Sequence, residues 1–268
     1  MKMFRDPPPE IAHPAHPAHK LTLADAPPFV CDACKEDGDG HGYSCEPCDF
    51  HLHTPCALAE RHATLENPLL RGAVFLLLDE PEPEPATNCD ACGGRVRGLH
   101  YHCSGRKDFD YHPVCANLAD RPMGDHLLQL RREPKRHWNL SRCSWRCLLC
   151  PYANSGTRRN PSDYWWYRCT HDGEVVDLHL ACIKDLARLR WRTEHENRVG
   201  GGGQIVEAVA PLVEGALRNR PRNRRTTRVP SFCNTVATVV KVAAALLSGN
   251  PFGMIAAVAG PAGELLQD

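Results

Sequence analysis

Residues 31–56, CDACKEDGDGHGYSCEPCDFHLHTPC, carry six donors suited to a soft or borderline metal ion: Cys31, Cys34, Cys45, Cys48, His53 and Cys56. A Cys-x-x-Cys turn aims two thiolates at one point, and zinc takes four sulfur or nitrogen ligands tetrahedrally. Three ligand pairs fall in the stretch, so two zinc ions would need a fourth pair from outside it. The pattern then returns. Cys89-x-x-Cys92 lies 58 positions after Cys31, Cys103 answers Cys45, and Asp108-Phe109-Asp110-Tyr111-His112-x-x-Cys115 answers Asp49-Phe50-His51-Leu52-His53-x-x-Cys56. Another 58 positions on, Cys147-x-x-Cys150 opens a third copy that passes Cys169 and closes on His179-x-x-Cys182. Self-similarity at a fixed period means an array of like modules.

The outer pairs persist and the inner pair decays. Three Cys3His sets recur: Cys31/Cys34/His53/Cys56, Cys89/Cys92/His112/Cys115 and Cys147/Cys150/His179/Cys182. If the outer pairs share one ion, that ion is kept in every copy while the second is lost or rebuilt. In the first copy the second ion would use Cys45, Cys48 and one of the histidines at 13, 16 and 19. His19 is the choice, because it opens the alternating His19-Lys-Leu21-Thr-Leu23 that suits a strand. The fourth ligand stays open. His126 follows Cys115 in the second copy, but the matching position after Cys56 is Asn67, which leaves His62 or a water molecule. Cys103, His126 and Cys169 are candidates for irregular later sites. His100, His102, His137, Cys143, His171 and His195 are each expected to be ordinary packed or solvated side chains.

The competing reading of these cysteines is a disulfide framework, which belongs to secreted chains. The N-terminal MKMFRDPPPE has no apolar signal-peptide core, so a reducing cytoplasm or nucleus is expected. Fifteen Cys and fifteen His among 268 residues stand in for part of a modest apolar content. Modules of about fifty residues bury little on their own, and a structural zinc contributes roughly 10–16 kcal/mol of binding energy that is also folding energy. The formal net charge is zero, so the molecule as a whole does not steer toward nucleic acid.

Prolines in residues 1–15 point to a disordered N-terminus, followed by modules over 16–70, 71–130 and 131–199. The acidic, proline-spaced DEPEPEPATN (79–88) lies inside the second of these ranges. A helix over 183–199 is released by Gly200–Gly203, and 200–231 reads as a flexible linker with a short helix and the arginine-rich RNRPRNRRTTR. Residues 232–268 form an apolar tail expected to be a helical hairpin. Its run Val236–Leu247 spans about 18 Å at 1.5 Å per residue, against about 30 Å of bilayer hydrocarbon, and does not cross a membrane alone. Residues 218–266 either anchor the chain peripherally on anionic lipid or pack as a helical pair on the modules or a partner.

The spacing Cys-x2-Cys-x10-Cys-x2-Cys-x4-His-x2-Cys, with Gly42-Tyr43-Ser44-Cys45 and Asp49-Phe50-His51-Leu52-His53 around it, resembles the plant Cys/His-rich divergent C1 domains, relatives of the diacylglycerol-binding zinc module. The resemblance covers about residues 16–190. It implies small zinc-stabilised α+β modules in tandem, short antiparallel sheets plus a short helix, ahead of the helical C-terminal tail. It also implies two interleaved zinc sites: Cys31, Cys34, His53 and Cys56 on one, and His19, Cys45, Cys48 and a late ligand on the other. Family members are read as binding or signalling modules. The loop KEDGDGHGYS is short and acidic, lacking the apolar rim that diacylglycerol binding needs. The functional expectation is a non-enzymatic interaction scaffold with protein partners, in plant stress or developmental signalling. A PHD-type histone-tail reader, which would take Cys89 and Cys92 as the last ligands after Cys56, and a RING-like ubiquitin ligase are the alternatives. No His-x-Glu or His-Glu-x-x-His occurs, and a zinc hydrolase needs an open position beside a general base.

Overall fold

In a computed structural model of the chain, the described residues are 7–64, 67, 69–70, 72–82, 85–103, 108–118, 121–123, 126–132, 147, 164–171 and 174–185. Cys150, most of the third Cys-x-x-Cys region, the 200–231 linker and the 232–268 tail lie outside them. The described residues fall into two compact units that meet in sequence near residue 120.

The first unit opens with β1 (Glu10–His13) and β2 (His16–Val30), followed by β3 (Asp37–Cys45), a 3-10 turn at Glu46–Cys48, β4 (Phe50–His53) and the one-turn helix α1 (Thr54–Ala57). The strands form one antiparallel sheet in the order β1-β2-β3-β4. Residues expected to be disordered therefore include a strand: Glu10 pairs with Thr22 and Ile11 with Leu21. Two further bonds tie down its approach, Leu23 N–H to the Pro9 carbonyl at 2.8 Å and the Tyr43 hydroxyl to the Pro8 carbonyl at 2.7 Å. The prolines do not prevent this because Pro14 sits in the turn between β1 and β2. Pro27 and Pro28 leave their mark within β2, where the register to β3 shifts between Ala26 and Phe29; proline has no N–H to give the ladder.

The same unit continues with β5 (His62–Thr64), β6 (Val74–Leu78), β7 (His100–Cys103), β8 (Phe109–Tyr111) and α2 (Pro113–Ala116), a second sheet in the order β5-β6-β7-β8. The second unit holds β9 (Arg121–Met123), β10 (His126–Arg131), β11 (Trp166–His171) and β12 (Glu174–His179), again an antiparallel four-stranded sheet in chain order, and residues 180–185 are helical. Two sheet boundaries differ from the sequence ranges. β5 begins at His62, within the range given to the first module, and β9 with most of β10 falls within the range given to the second. Each sheet takes its first two strands from ahead of its own Cys-x-x-Cys, where no cysteine marks the start.

Each sheet is held through one cross-strand row. Leu23 faces Tyr43, which faces Leu52; Leu77 faces Tyr101, which faces Tyr111; Leu130 faces Tyr167, which faces Leu178. All of these except the half-buried Leu23 are buried, and directly opposed side chains of this kind are the unit of sheet stabilisation. Burial pushes the Tyr101 phenol up to about 12. The row also fixes the donors, since Cys45, Cys103 and Cys169 stand two residues after the tyrosine and His53, His112 and His179 one residue after the facing Leu52, Tyr111 and Leu178.

Within the first unit the two sheets join backbone to backbone. Leu99 N–H donates to the Ala33 carbonyl at 2.9 Å, and a Cβ on Gly98 would stand 2.2 Å from that same oxygen. Asn67 is buried and its Nδ2 donates to the Ala116 carbonyl at 3.2 Å, at the end of α2. Its Oδ1 accepts Leu69 N–H at 2.9 Å.

Candidate metal centre

After β2 the chain turns through Cys31–Lys35. Lys35 N–H donates to the Cys31 carbonyl and Cys31 N–H to the Glu36 carbonyl, both at 2.9 Å, with Lys35 in the left-handed region at φ 61°. The second copy repeats this with Gly93 N–H to Cys89 O at 2.7 Å and Cys89 N–H to Gly94 O at 2.8 Å, Gly93 taking φ 75°. Asp32 then anchors the turn to β4, donating its N–H to the His51 carbonyl and accepting His51 N–H on its carboxylate, each at 2.8 Å. Asp90 does the same with Asp110, at 2.8 and 3.0 Å. In the folded chain these bonds hold the two cysteines of each turn on one side.

β4 and α1 bring the other two donors. His53 Nδ1 lies 3.3 Å from Cys34 Sγ and 3.9 Å from Cys56 Sγ; His112 Nδ1 lies 3.5 Å from Cys92 Sγ and 3.9 Å from Cys115 Sγ. The far nitrogens, His53 Nε2 and His112 Nε2, sit 3.2 Å from the Asp37 and Arg95 carbonyls. An Nε2–H donating there leaves the Nδ1 lone pair facing the sulfurs, the usual orientation of a metal-bound histidine. Gly38 is required at this point, since a Cβ would stand 2.4 Å from His53 Nε2.

Both sets, Cys31/Cys34/His53/Cys56 and Cys89/Cys92/His112/Cys115, are fully buried, with all four donor atoms within 4.8 Å of one another. A tetrahedral zinc with bonds of about 2.3 Å to sulfur has sulfur–sulfur edges of about 3.8 Å, so the sets fit that ion. Their electrostatics agree. Burial opposes ionisation of Cys31, but hydrogen bonds from Cys34 and Cys56 and the charge of His53 hold its thiol well below the usual range. Burial, and then Cys31 and Cys34, hold Cys56 well above it. In the second set Cys89 and Cys92, with burial, push Cys115 up. Sulfurs this close cannot all ionise without a cation between them.

A third set joins His16, His19, Cys45 and Cys48. His19 Nδ1 lies 3.2 Å from Cys48 Sγ and 3.7 Å from Cys45 Sγ. His16 stacks on Phe50 with ring centroids 4.6 Å apart, and its Nε2 is buried without a hydrogen-bond partner. A buried ring nitrogen with no hydrogen-bond partner beside two thiols suits a metal bond. Among the described residues the donor beside His19, Cys45 and Cys48 is thus an early histidine, His16, where a late ligand was expected after Cys56. Asn67 is engaged with α2, as described. His62 lies on β5 of the second sheet, its backbone opposite Leu76. His126 belongs by its backbone to β10 of the third sheet, two residues before buried Leu128 as His19 is two before buried Leu21. The side chains of His62, His126 and Cys169 lie outside the described residues. The signal for His16 lies in the His16-Pro-Ala-His19 spacing, although the sequence alone offers His13, His16 and His19 as alternatives for one ligand.

In the second sheet Cys103, which answers Cys45, joins no donor cluster among the described residues. One register position away, where the first sheet pairs Ser44 with His51, His102 Nδ1 lies 2.9 Å from Asp110 Oδ1 and His100 Nε2 3.6 Å from the same oxygen. In the third sheet the cross-strand position of His102 and Asp110 holds Arg168 and Asp177, a two-pronged pair at 2.7 and 2.8 Å. There Cys147, His179 and Cys182 come together, with His179 N–H donating to Cys147 Sγ at 3.3 Å and Cys182 Sγ 3.8 Å from His179 Nδ1.

The C1 domain family matches residues 14–57, a span that begins just before His16 and ends just after Cys56. It contains both clusters of the first sheet and nothing later. The chain is a Cys/His-rich protein with a C1-like domain. "Probable nucleoredoxin 1" of Arabidopsis thaliana is 41% identical over 59 residues, which is 22% of this chain and 10% of that protein. The likeness is confined to the C1-like region, and this chain spans a small part of that relative. No solved structure matches the chain. C1 domains are zinc-binding, and the donor sets on either side of β3 suit zinc.

Replacing His16 with alanine tests the reassigned ligand. The zinc count of the full chain, read by native mass spectrometry, is expected to fall by one relative to the parent, while His62→Ala leaves it unchanged. The reverse outcome would restore the late-ligand arrangement.

Proposed function

We propose that the chain is a non-enzymatic, zinc-binding interaction scaffold, with C1-like modules in tandem presenting surface loops to protein partners. The observation that supports this is the closure of the metal sets: the two buried Cys3His clusters each supply four protein donors, and structural zinc sites are closed in this way while catalytic ones keep a position open. The PHD-type reading would require Cys89 and Cys92 to complete a cluster with the first module's ligands, and their proximity to His112 and Cys115 argues against it. Diacylglycerol and nucleic acid are not expected ligands. The reading places the chain in the cytoplasm or nucleus, with residues 218–266 as a peripheral contact to anionic lipid and stress or developmental signalling as the setting. No helix among the described residues is long and apolar enough to cross a membrane.

The test is partner retention by the immobilised full chain, zinc-loaded or stripped with a chelator. Specific proteins held by the loaded chain and released on chelation are expected. Equal retention by both forms would remove the zinc-built surface from the account.

A further inference from the structure

The two donor sets of the first sheet differ sharply in access. Cys31, Cys34, His53 and Cys56 are all buried, and Gly98–Leu99 of the second sheet lies over the Cys31–Cys34 turn. In the other set His19 and Cys48 are exposed and His16 half-buried, with Cys45 alone buried. Among the described cysteines Cys48 is the exposed one. We propose that Cys45 and Cys48 are a peroxide-sensitive modification site, whose oxidation to a disulfide releases one zinc from the C1-like domain and leaves the inner zinc bound. This rests on the zinc reading of both clusters.

The chemistry balances with a peroxide as oxidant. The Cys48 thiolate attacks one peroxide oxygen; the S–O bond forms, the O–O bond breaks and hydroxide leaves, giving a sulfenic acid. The Cys45 thiolate, whose sulfur lies within 4.8 Å, attacks that sulfur; the S–S bond forms and a second hydroxide leaves. The two thiolates supply the two electrons, and the two hydroxides take protons from solvent. With Cys45 and Cys48 joined, only His16 and His19 would remain to hold a zinc ion there, too few to keep it, and a reducing thiol reverses the step.

Charge alone would order the sites the other way. A Cys3His zinc site carries a net negative charge and a Cys2His2 site none, so the inner sulfurs are intrinsically richer in electrons. Access decides instead, since a thiolate that the oxidant cannot touch is inert.

The experiment uses the zinc-loaded full chain, its zinc count fixed by native mass spectrometry beforehand. Hydrogen peroxide is added in small excess, released zinc is followed with a chromogenic chelator, and thiols are mapped by alkylation. The first zinc is expected to leave with Cys45 and Cys48 joined and with Cys31, Cys34 and Cys56 still reduced. Dithiothreitol with added zinc restores the count. In a Cys48→His variant no disulfide can form with Cys45, and release of the first zinc by the same peroxide excess is expected to be lost. Release of the first zinc with Cys45 and Cys48 still reduced would overturn the proposal. A starting count insensitive to replacing Cys45 and Cys48 together with serine would instead show that this cluster holds no zinc, and would overturn the metal reading beneath it.

Discussion

Stripping the zinc from the full chain at neutral pH is expected to unfold residues 7–118, and with them the amide dispersion of both sheets of the first unit. The reason lies in what the two sheets bury. The first is organised on Leu21, Phe29, Tyr43 and Leu52, the second on Phe75, Leu77, Tyr101 and Tyr111. So few large apolar groups cannot offset the conformational entropy of ordering about fifty residues each. A structural zinc contributes about 10–16 kcal/mol per site, comparable to the whole net stability of an ordinary domain. The four-donor clusters would also be left as close-set buried sulfurs that repel when ionised. Two-dimensional amide spectra before and after chelation, with elemental analysis to prove removal, provide the check. Dispersed peaks collapsing and returning on zinc addition is the expected result; a dispersed spectrum from metal-free protein would show that the apolar rows suffice.

The second large effect is at Gly98. Its position is set by the backbone junction of the two sheets, where the Ala33 carbonyl accepts Leu99 N–H and would lie 2.2 Å from any Cβ at 98. The obstructing atom is backbone within a metal-binding turn, so it cannot swing aside. Gly98→Val is expected to destabilise the unit by about 2–4 kcal/mol, combining the cost of forcing atoms into a filled space with loss of a buried hydrogen bond. Val74→Ala, at an exposed position on β6, serves as the control and is expected to stay within about 0.5 kcal/mol. Denaturant midpoints of the zinc-loaded proteins measure both. A parent-like midpoint for Gly98→Val would mean the two sheets do not depend on this junction. The junction also reaches the second cluster, for buried Glu36 lies 3.5 Å from His112 Nδ1. Metal sites of neighbouring sheets are thus linked through one turn.

Much of the candidate site could be read in residues 31–56 and their returns at 89 and 147, because metal ligation demands particular residue types at particular short spacings. Two Cys-x-x-Cys turns and a His-x-x-Cys are local objects, each built by the hydrogen bonds of a few neighbouring residues, and the sequence reaches them directly. The period and the C1-like character follow from the same local spacing.

What the tertiary structure alone decided is everything carried by strands that pair across distance. That Glu10–His13 is a strand, that β5 belongs to the second sheet and β9 to the third, and that His16 stands beside His19 against Cys45 and Cys48 all depend on register between segments with no cysteine to mark them. A one-residue slip in such a pairing exchanges the faces of a strand, so alternation in the sequence could not choose among His13, His16 and His19, nor discover that two were needed. Asn67 shows the same limit from the other side. Counting residues from Cys56 made it a failed ligand, whereas in the folded chain it caps the packing of α2, because a buried amide takes the partners that the neighbouring sheet brings to it.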